Sequence, residues 1–130
     1  MKFSEFELFI ENLYNEVKVK DITINNEKIS TILRGHNYKL NNLFLFLEKL
    51  NYILLVQNIV VYSTRDLALI LRNERKKRSI TRLQMLTEIG LNFNTINKIE
   101  SGKNHQKETL KKYLNYFPDI TFELQKNTGR

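Results

Sequence analysis

Glu100 is a carboxylate in the most basic part of the chain, two residues before the glycine that ends the stretch TEIGLNFNTINKIESG (87–102). General acid–base catalysis needs a second titratable group within reach, and no second carboxylate or histidine stands beside Glu100. The chain has no cysteine and only two histidines, His36 and His105, so neither a thiolate nucleophile nor a zinc site is expected. Its four glycines are isolated and form no phosphate-binding loop. We therefore expect no enzyme activity, no metal and no cofactor, and mostly non-covalent chemistry.

The excess positive charge is confined to the second half of the chain. The 130 residues carry a formal net charge of +7. Residues 1–63 contain seven basic and seven acidic residues, whereas residues 64–130 contain fourteen basic and seven acidic residues. This asymmetry favours a polyanionic partner, because each neutralised phosphate releases counterions. A merely well-solvated surface is the alternative.

Neither a secretion signal nor a membrane span is indicated. The start, MKFSEFELFIEN, mixes three glutamates with its apolar residues, unlike a signal peptide. The longest apolar run, YILLVQNIVVY (52–62), is about half the length that a transmembrane helix needs. We expect a cytoplasmic protein without a membrane partner.

The sequence repeats itself at a distance of 67 residues. In that register, ITINNEKISTILRGHN (22–37) matches IGLNFNTINKIESGKN (89–104). The identities fall on apolar, helix-capping and glycine positions, which set a backbone and a core, so they indicate an internal duplication. The matched pairs are Ile22/Ile89, Asn25/Asn92, Ile29/Ile96, Ile32/Ile99, Gly35/Gly102, Asn37/Asn104, Leu43/Leu110, Leu47/Leu114 and Ile53/Ile120.

Helical periodicity and capping residues predict two helices at the start of the second half. A first helix covers about 64–77, with Ser63 or Thr64 as its N-cap. A short second helix opens at Thr81 with a capping box and ends at Gly90, which tolerates a left-handed turn.

A third helix follows the second after a tight turn. Asn92 can cap it, Ile96 and Ile99 face inward, and Gly102 stops it. A fourth helix precedes Pro118, after which DITFEL alternates like a strand. The outward residues of the third helix are Phe93, Asn94, Asn97 and Lys98.

The first half follows the repeat less closely. FSEFELFIENLY (3–14) predicts an amphipathic helix, whereas NEVKVKDI (15–22), which matches the second helix of the repeat, predicts a short or irregular one. LNNLFLFLEKL (40–50) is apolar nearly all round, so it should be buried from more than one side. Its residues Leu45 and Phe46 are candidates for a dimer or partner surface.

Two short strands are predicted between the halves. ILLV (53–56) and IVVY (59–62) flank the turn residues QN, which favours a hairpin that joins the halves. Alternatively, each strand belongs to one half and pairs elsewhere.

The stretch ITRLQMLTEIGLNFNTINKIESG (80–102) resembles, without a gap, the helix-turn-helix of the Cro and phage-repressor (Xre) family. The likeness extends from about 64 to 117. With VVYS before it and DITFEL after it, the second half looks most like HipB-type antitoxins, which flank this domain with strands and dimerise. The family signature is intact at Ile96, Ile99, Glu100 and Gly102.

The resemblance implies roles for individual residues. Glu100 would face inward and pair with Arg75 of the first helix, which would hold the third helix at a fixed angle. The third helix, at about 93–101, would lie in the major groove of DNA. Its base-reading residues would be Phe93, Asn94, Asn97 and Lys98. The residues that position phosphates would be Arg78, Arg82, Lys103 and Asn104.

These features together predict a mainly α protein made of two tandem lambda-repressor-like helix-turn-helix units with short flanking β-strands. Residues 1–63 would be a degenerate unit, with Leu33 in place of the glutamate, that serves dimerisation or partner binding. The alternative is a tandem in which both units contact DNA. Residues 64–130 would be the DNA-binding domain with its C-terminal strand.

The expected function is that of a sequence-specific transcriptional regulator, a repressor of the Cro/C1 type, which binds double-stranded DNA as a homodimer. The alternative is an antitoxin or phage-type inhibitor that acts mainly by binding a toxin or another protein.

Overall fold

The computed structural model describes residues 1–127. Helices dominate the described residues, and two small antiparallel sheets accompany them, so the mainly α expectation is confirmed. The helices are α1 (Phe3–Val19), α2 (Leu40–Lys49), α3 (Thr64–Lys77), α4 (Arg82–Ile89), α5 (Phe93–Glu100) and α6 (Lys107–Leu114). The strands are β1 (Thr23–Ile24), β2 (Glu27–Lys28), β3 (Tyr52–Val56), β4 (Ile59–Val61) and β5 (Phe122–Lys126).

The helices of the second half begin and end at the predicted capping residues. The Ser63 hydroxyl accepts a hydrogen bond at the start of α3, and Thr81 forms a capping box at the start of α4. Gly90 ends α4 with a φ of 69°, and the Asn92 side chain caps α5. Because these signals are local, the helix boundaries could be read from the sequence.

The first half has a different secondary structure from the one that the repeat predicted. Helix α1 continues through residues 15–19, and a β1–β2 hairpin with a 3-10 turn (Ile29–Thr31) follows it. Asn25 and Asn26 have φ values of 52° and 66°, as a tight hairpin turn requires, and these angles are incompatible with a helix. The degenerate helix-turn-helix expected in residues 1–63 is therefore corrected to helix, hairpin, 3-10 turn and helix.

One three-stranded sheet joins the two halves. Strands β3 and β4 form the predicted hairpin, whose turn residues Gln57 and Asn58 both have positive φ. Strand β3 also pairs with β5, so the strand order is β4–β3–β5. The hairpin prediction is confirmed, and the pairing of β3 with the end of the chain adds to it.

A single apolar cluster extends through both halves. The ring of Phe122 in β5 lies 5.1 Å from that of Phe3 and 5.3 Å from that of Phe6 in α1. The backbones of Met1 and Phe122 exchange two hydrogen bonds. The start of the chain is therefore held against its last described strand.

Phe46 does not form part of a surface, contrary to the sequence-based expectation. Its side chain is fully buried, and its ring lies 6.4 Å from that of Tyr14 in α1. Helix α2 is covered by α1 on this side and also contacts β3 and the 3-10 turn, so several of its faces are buried. Leu45 remains 39% exposed.

Candidate nucleic-acid interface

Helix α5 presents one polar face to solvent and buries the opposite face. Ile96 and Ile99 are fully buried, which holds the helix against the core. The four residues predicted to read bases are all exposed, and no side-chain hydrogen bond within the described residues engages their polar groups. These residues are Phe93, Asn94, Asn97 and Lys98.

The ion pair expected between Arg75 and Glu100 is present and is bidentate. The Arg75 Nε atom lies 2.7 Å from Glu100 Oε2, and Nη2 lies 2.9 Å from Oε1. The two side chains are only 8% and 2% exposed. Arg75 Nη1 also donates to the Ile80 carbonyl at 2.9 Å. One guanidinium therefore ties together α3, the turn before α4, and the end of α5.

Tyr113 of α6 completes this buried network. Its hydroxyl donates to Glu100 Oε2 at 2.8 Å. The hydrogen bond with Glu100 raises the pKa of Arg75, and burial raises the pKa of Tyr113, so both stay protonated at neutral pH. No local signal in the sequence indicated the bond between Tyr113 and Glu100.

Arg82 and Lys103 are solvent-accessible cations close to α5. Arg82 is the first residue of α4, its side chain is 42% exposed, and its Nη2 atom lies 4.0 Å from Glu100 Oε1. Lys103 is exposed in the loop directly after α5. Both cations remain candidates for phosphate contacts.

Arg78, one of the predicted phosphate contacts, is ion-paired within the chain. Its guanidinium donates to Asp119 at 2.7 Å and to Glu74 at 3.1 Å, and it lies 5.4 Å from the centre of the Phe117 ring. The bond to Asp119 raises the pKa of Arg78. Two carboxylates compensate the charge of Arg78. Because Glu74 belongs to α3 and Asp119 follows α6, Arg78 stabilises the contact between these two segments.

Asn104, another predicted phosphate contact, is hydrogen-bonded to the other half of the chain. Its side-chain oxygen accepts a hydrogen bond from the backbone N–H of Asn41, in the first turn of α2, at 3.0 Å. In return, the Asn37 side-chain oxygen accepts from the backbone N–H of Glu108, in the first turn of α6, at 3.0 Å. Asn104 is therefore a helix cap for the other half of the chain.

The backbones of the same two loops exchange a reciprocal pair of hydrogen bonds. The Leu40 N–H donates to the His105 carbonyl and the Lys107 N–H donates to the Tyr38 carbonyl, both at 2.8 Å. Adding 67 to the number of the first-half partner and subtracting 67 from that of the second-half partner converts either backbone bond into the other. The same operation converts either asparagine cap into the other. The spacing of the sequence repeat thus recurs as a local two-fold relation.

The β3–β5 ladder obeys the same relation. Leu55 faces Glu123 and Val56 faces Phe122 at one end of the ladder, and the residues 67 positions after Leu55 and Val56 are Phe122 and Glu123. An approximate two-fold axis therefore passes between these two pairs, at the Phe122 end of the ladder, and between the two loops. It relates α2 to α6, although the segments before Ile29 and Ile96 differ.

His105 is buried at this junction, 3% exposed. Its Nδ1 atom lies 2.9 Å from the Lys103 carbonyl, and Nε2 has no hydrogen-bond partner among the described residues. Burial lowers the pKa of His105, with a smaller contribution from Lys98. His105 lies in a loop, and its neighbours in the sequence did not indicate that it is buried.

Within residues 1–127, no cluster of three or more His, Cys, Asp or Glu residues could hold a metal ion. The described helices also include none that is long and apolar enough to cross a membrane. Comparison of the chain with protein-family models, with curated proteins and with solved structures gave no significant match.

Proposed function

We propose that the protein is a sequence-specific, double-stranded DNA-binding transcriptional regulator that acts as a repressor. The observation that carries the proposal is the α5 face: four exposed side chains, three of them with unengaged polar groups, on a short helix that a buried ion pair holds in place. The resemblance of residues 80–102 to Cro and phage-repressor helix-turn-helix segments supports the same function.

The chemistry of this face suits base edges in the major groove. Asn94 and Asn97 can form paired hydrogen bonds with adenine, and Lys98 can donate to guanine. Phe93, which is 45% exposed, can pack against a thymine methyl group. Arg82 and Lys103 would contact phosphates on either side of the helix. An amide-rich face of this kind favours AT-rich sites.

The proposal is tested by selecting DNA duplexes with the full chain from a random-sequence pool. We expect enrichment of a discrete sequence, and we expect the double variant N97A/K98A to lose preference for that sequence over a scrambled duplex. The matched control, K112A/N115A, removes the same two residue types from the exposed far end of α6 and should leave the preference unchanged. Failure to enrich any sequence, or equal effects of both variants, would contradict sequence-specific binding.

A second candidate function is protein binding of the antitoxin or inhibitor type. It is favoured by an apolar groove of about 520 Å³ beside the edge strand β4. Ile59, Tyr62 and Leu69 are each more than half exposed at this groove. An edge strand offers unpaired backbone groups to a partner strand. This candidate predicts that Y62S/L69S abolishes repression or partner binding while DNA binding by the purified chain is unchanged.

A further inference from the structure

The two loops around the approximate two-fold axis form one continuous surface. We define the loop pair as residues 34–39 and residues 101–106. The two reciprocal backbone bonds form an antiparallel bridge between Lys39 and Gln106, and the two asparagine caps and a hydrogen bond from Asn37 Nδ2 to Gln106 Oε1 (3.1 Å) join the loops further. The loop pair is therefore a rigid feature to which both halves contribute.

The loop pair is cationic and contains no carboxylate. Arg34, Lys39 and Lys103 are exposed on it. Arg34 Nε donates to the Thr31 carbonyl at 2.9 Å, while its two terminal nitrogens have no partner among the described residues. The acidic side chains that flank the second loop, Glu100 and Glu108, are paired with Arg75 at 2.7 Å and with the buried Lys107 ammonium at 3.0 Å. Within residues 1–127, these three exposed cations thus have no ion-pair partner.

The three cations of the loop pair do not occupy equivalent positions in the two halves. At the positions that the 67-residue spacing relates, Arg34 corresponds to Ser101 and Lys39 corresponds to Gln106. Lys103 of the second half corresponds to His36. Each half therefore supplies a cation where the other half has a weaker base or a neutral residue, and both sides of the axis become positive.

The loop pair lies next to α5 and away from the sheet. Helix α5 ends at Glu100, directly before the second loop. Helix α2 begins directly after the first loop and ends three residues before β3, so its length of about 15 Å separates the loop pair from the sheet. In β5, the exposed Glu123 is accompanied by the exposed Lys126, whereas the loop pair has three exposed cations and no carboxylate of its own.

We propose that the loop pair is a phosphate-binding surface for the DNA backbone beside the groove that α5 enters, and that the first half takes part in DNA binding through Arg34 and Lys39. This inference rests on the proposed function. Base reading is confined to α5, because the first half has a hairpin and a 3-10 turn at the related position. One chain would therefore bind an asymmetric site, with base contacts on one side of the axis and only phosphate contacts on the other.

The test measures the affinity of the full chain for the selected duplex, of roughly two helical turns, at several salt concentrations. Removing one cation that neutralises a phosphate reduces the slope of log K against log salt by about 0.9. We expect R34Q/K39Q to reduce the slope by nearly two and to leave the preference for the selected over the scrambled duplex intact. The matched control, K49Q/K126Q, removes two lysines at the sheet end and should leave the slope unchanged. Circular dichroism and thermal unfolding would verify that both variants fold.

The outcomes separate this inference from the proposed function. If N97A/K98A abolishes sequence preference while R34Q/K39Q behaves like K49Q/K126Q, the loop pair is not a phosphate-binding surface, but the regulator proposal stands. If R34Q/K39Q removes the sequence preference itself, a phosphate-only role for the first half is overturned. If the wild-type chain selects no duplex and binds none, both proposals fail.

Discussion

Asn37 and Asn104 hold equivalent positions in the two loops, and each caps the helix that follows the other. Asn37 accepts from the first turn of α6 and Asn104 accepts from the first turn of α2, both at 3.0 Å. Neither helix has a side-chain cap from its own N-cap residue. The stability of each half therefore depends directly on the other half.

We expect N37A and N104A to lower the free energy of unfolding by similar amounts, about 1 kcal/mol each, because each removes one helix cap. Urea unfolding followed by circular dichroism would measure both. N42A, which changes an exposed asparagine on α2 without a side-chain hydrogen bond in the described residues, serves as control. A large effect of N104A with none of N37A would contradict the reciprocal arrangement.

Gly102 and Gly35 are a matched pair for testing how tightly each half packs. Both have a left-handed φ, 82° and 70°, but a Cβ added to Gly102 would lie 2.9 Å from Arg65 Cα, whereas one added to Gly35 meets nothing within 4 Å. G35A should cost about 1 kcal/mol from backbone strain alone. G102A should cost clearly more, because α3 must also move. Equal losses in urea unfolding would show that α3 does not pack closely on Gly102.

Breaking the buried ion pair should lower the free energy of unfolding more than replacing both of its residues with apolar ones. R75M leaves the Glu100 carboxylate buried without its cation, and we expect a loss of about 3 kcal/mol. The double variant R75M/E100L should recover much of this loss, because it removes both charges and a buried leucine, Leu33, already occupies the related position of the first half. Thermal and urea unfolding of the two variants would measure the difference. A double variant as unstable as R75M would indicate that the loss comes from packing rather than from an uncompensated charge.

His105 should make stability depend on pH. Its pKa is lowered in the folded state, so the unfolded chain binds a proton more readily. The contribution is fully favourable above the ordinary histidine pKa of about 6.5 and is lost as the pH falls through the folded pKa. H105Q should therefore show a smaller loss of stability between neutral and mildly acidic pH than the wild type. H36Q, which changes an exposed histidine, is the matched control, and equal curves for H105Q and the wild type would contradict this assignment.

The internal two-fold arrangement leads us to propose a monomer in place of the homodimer expected from the sequence. The loop and strand contacts across the axis are made within one chain, so these surfaces are not available to a second copy. Sedimentation equilibrium should give the mass of one chain in solution, and one chain per duplex when DNA is bound. A two-chain complex held through the same loops or strands would contradict this.

The second half could be predicted in detail because its signals are local. Capping residues such as Thr81 and Asn92 act on backbone groups two or three residues away, so their effect does not depend on the rest of the fold. The first half was predicted less well. Helix α1 runs without interruption through Val17 and Val19, and the Asn25–Asn26 turn forms a hairpin where the repeat suggested a helix start.

The sequence by itself determined the spacing of the repeat, the capping of α3, α4 and α5, and which side chains of α5 face outward. Only the tertiary structure decided which of the cationic and amide side chains remain available to a partner. Arg78 is compensated by Asp119, 41 residues away, and Asn104 is engaged by Asn41, 63 residues away, whereas Arg34 and Lys39 remain exposed. Side-chain charge is a property of one residue, but its compensation depends on partners that only the folded chain brings together.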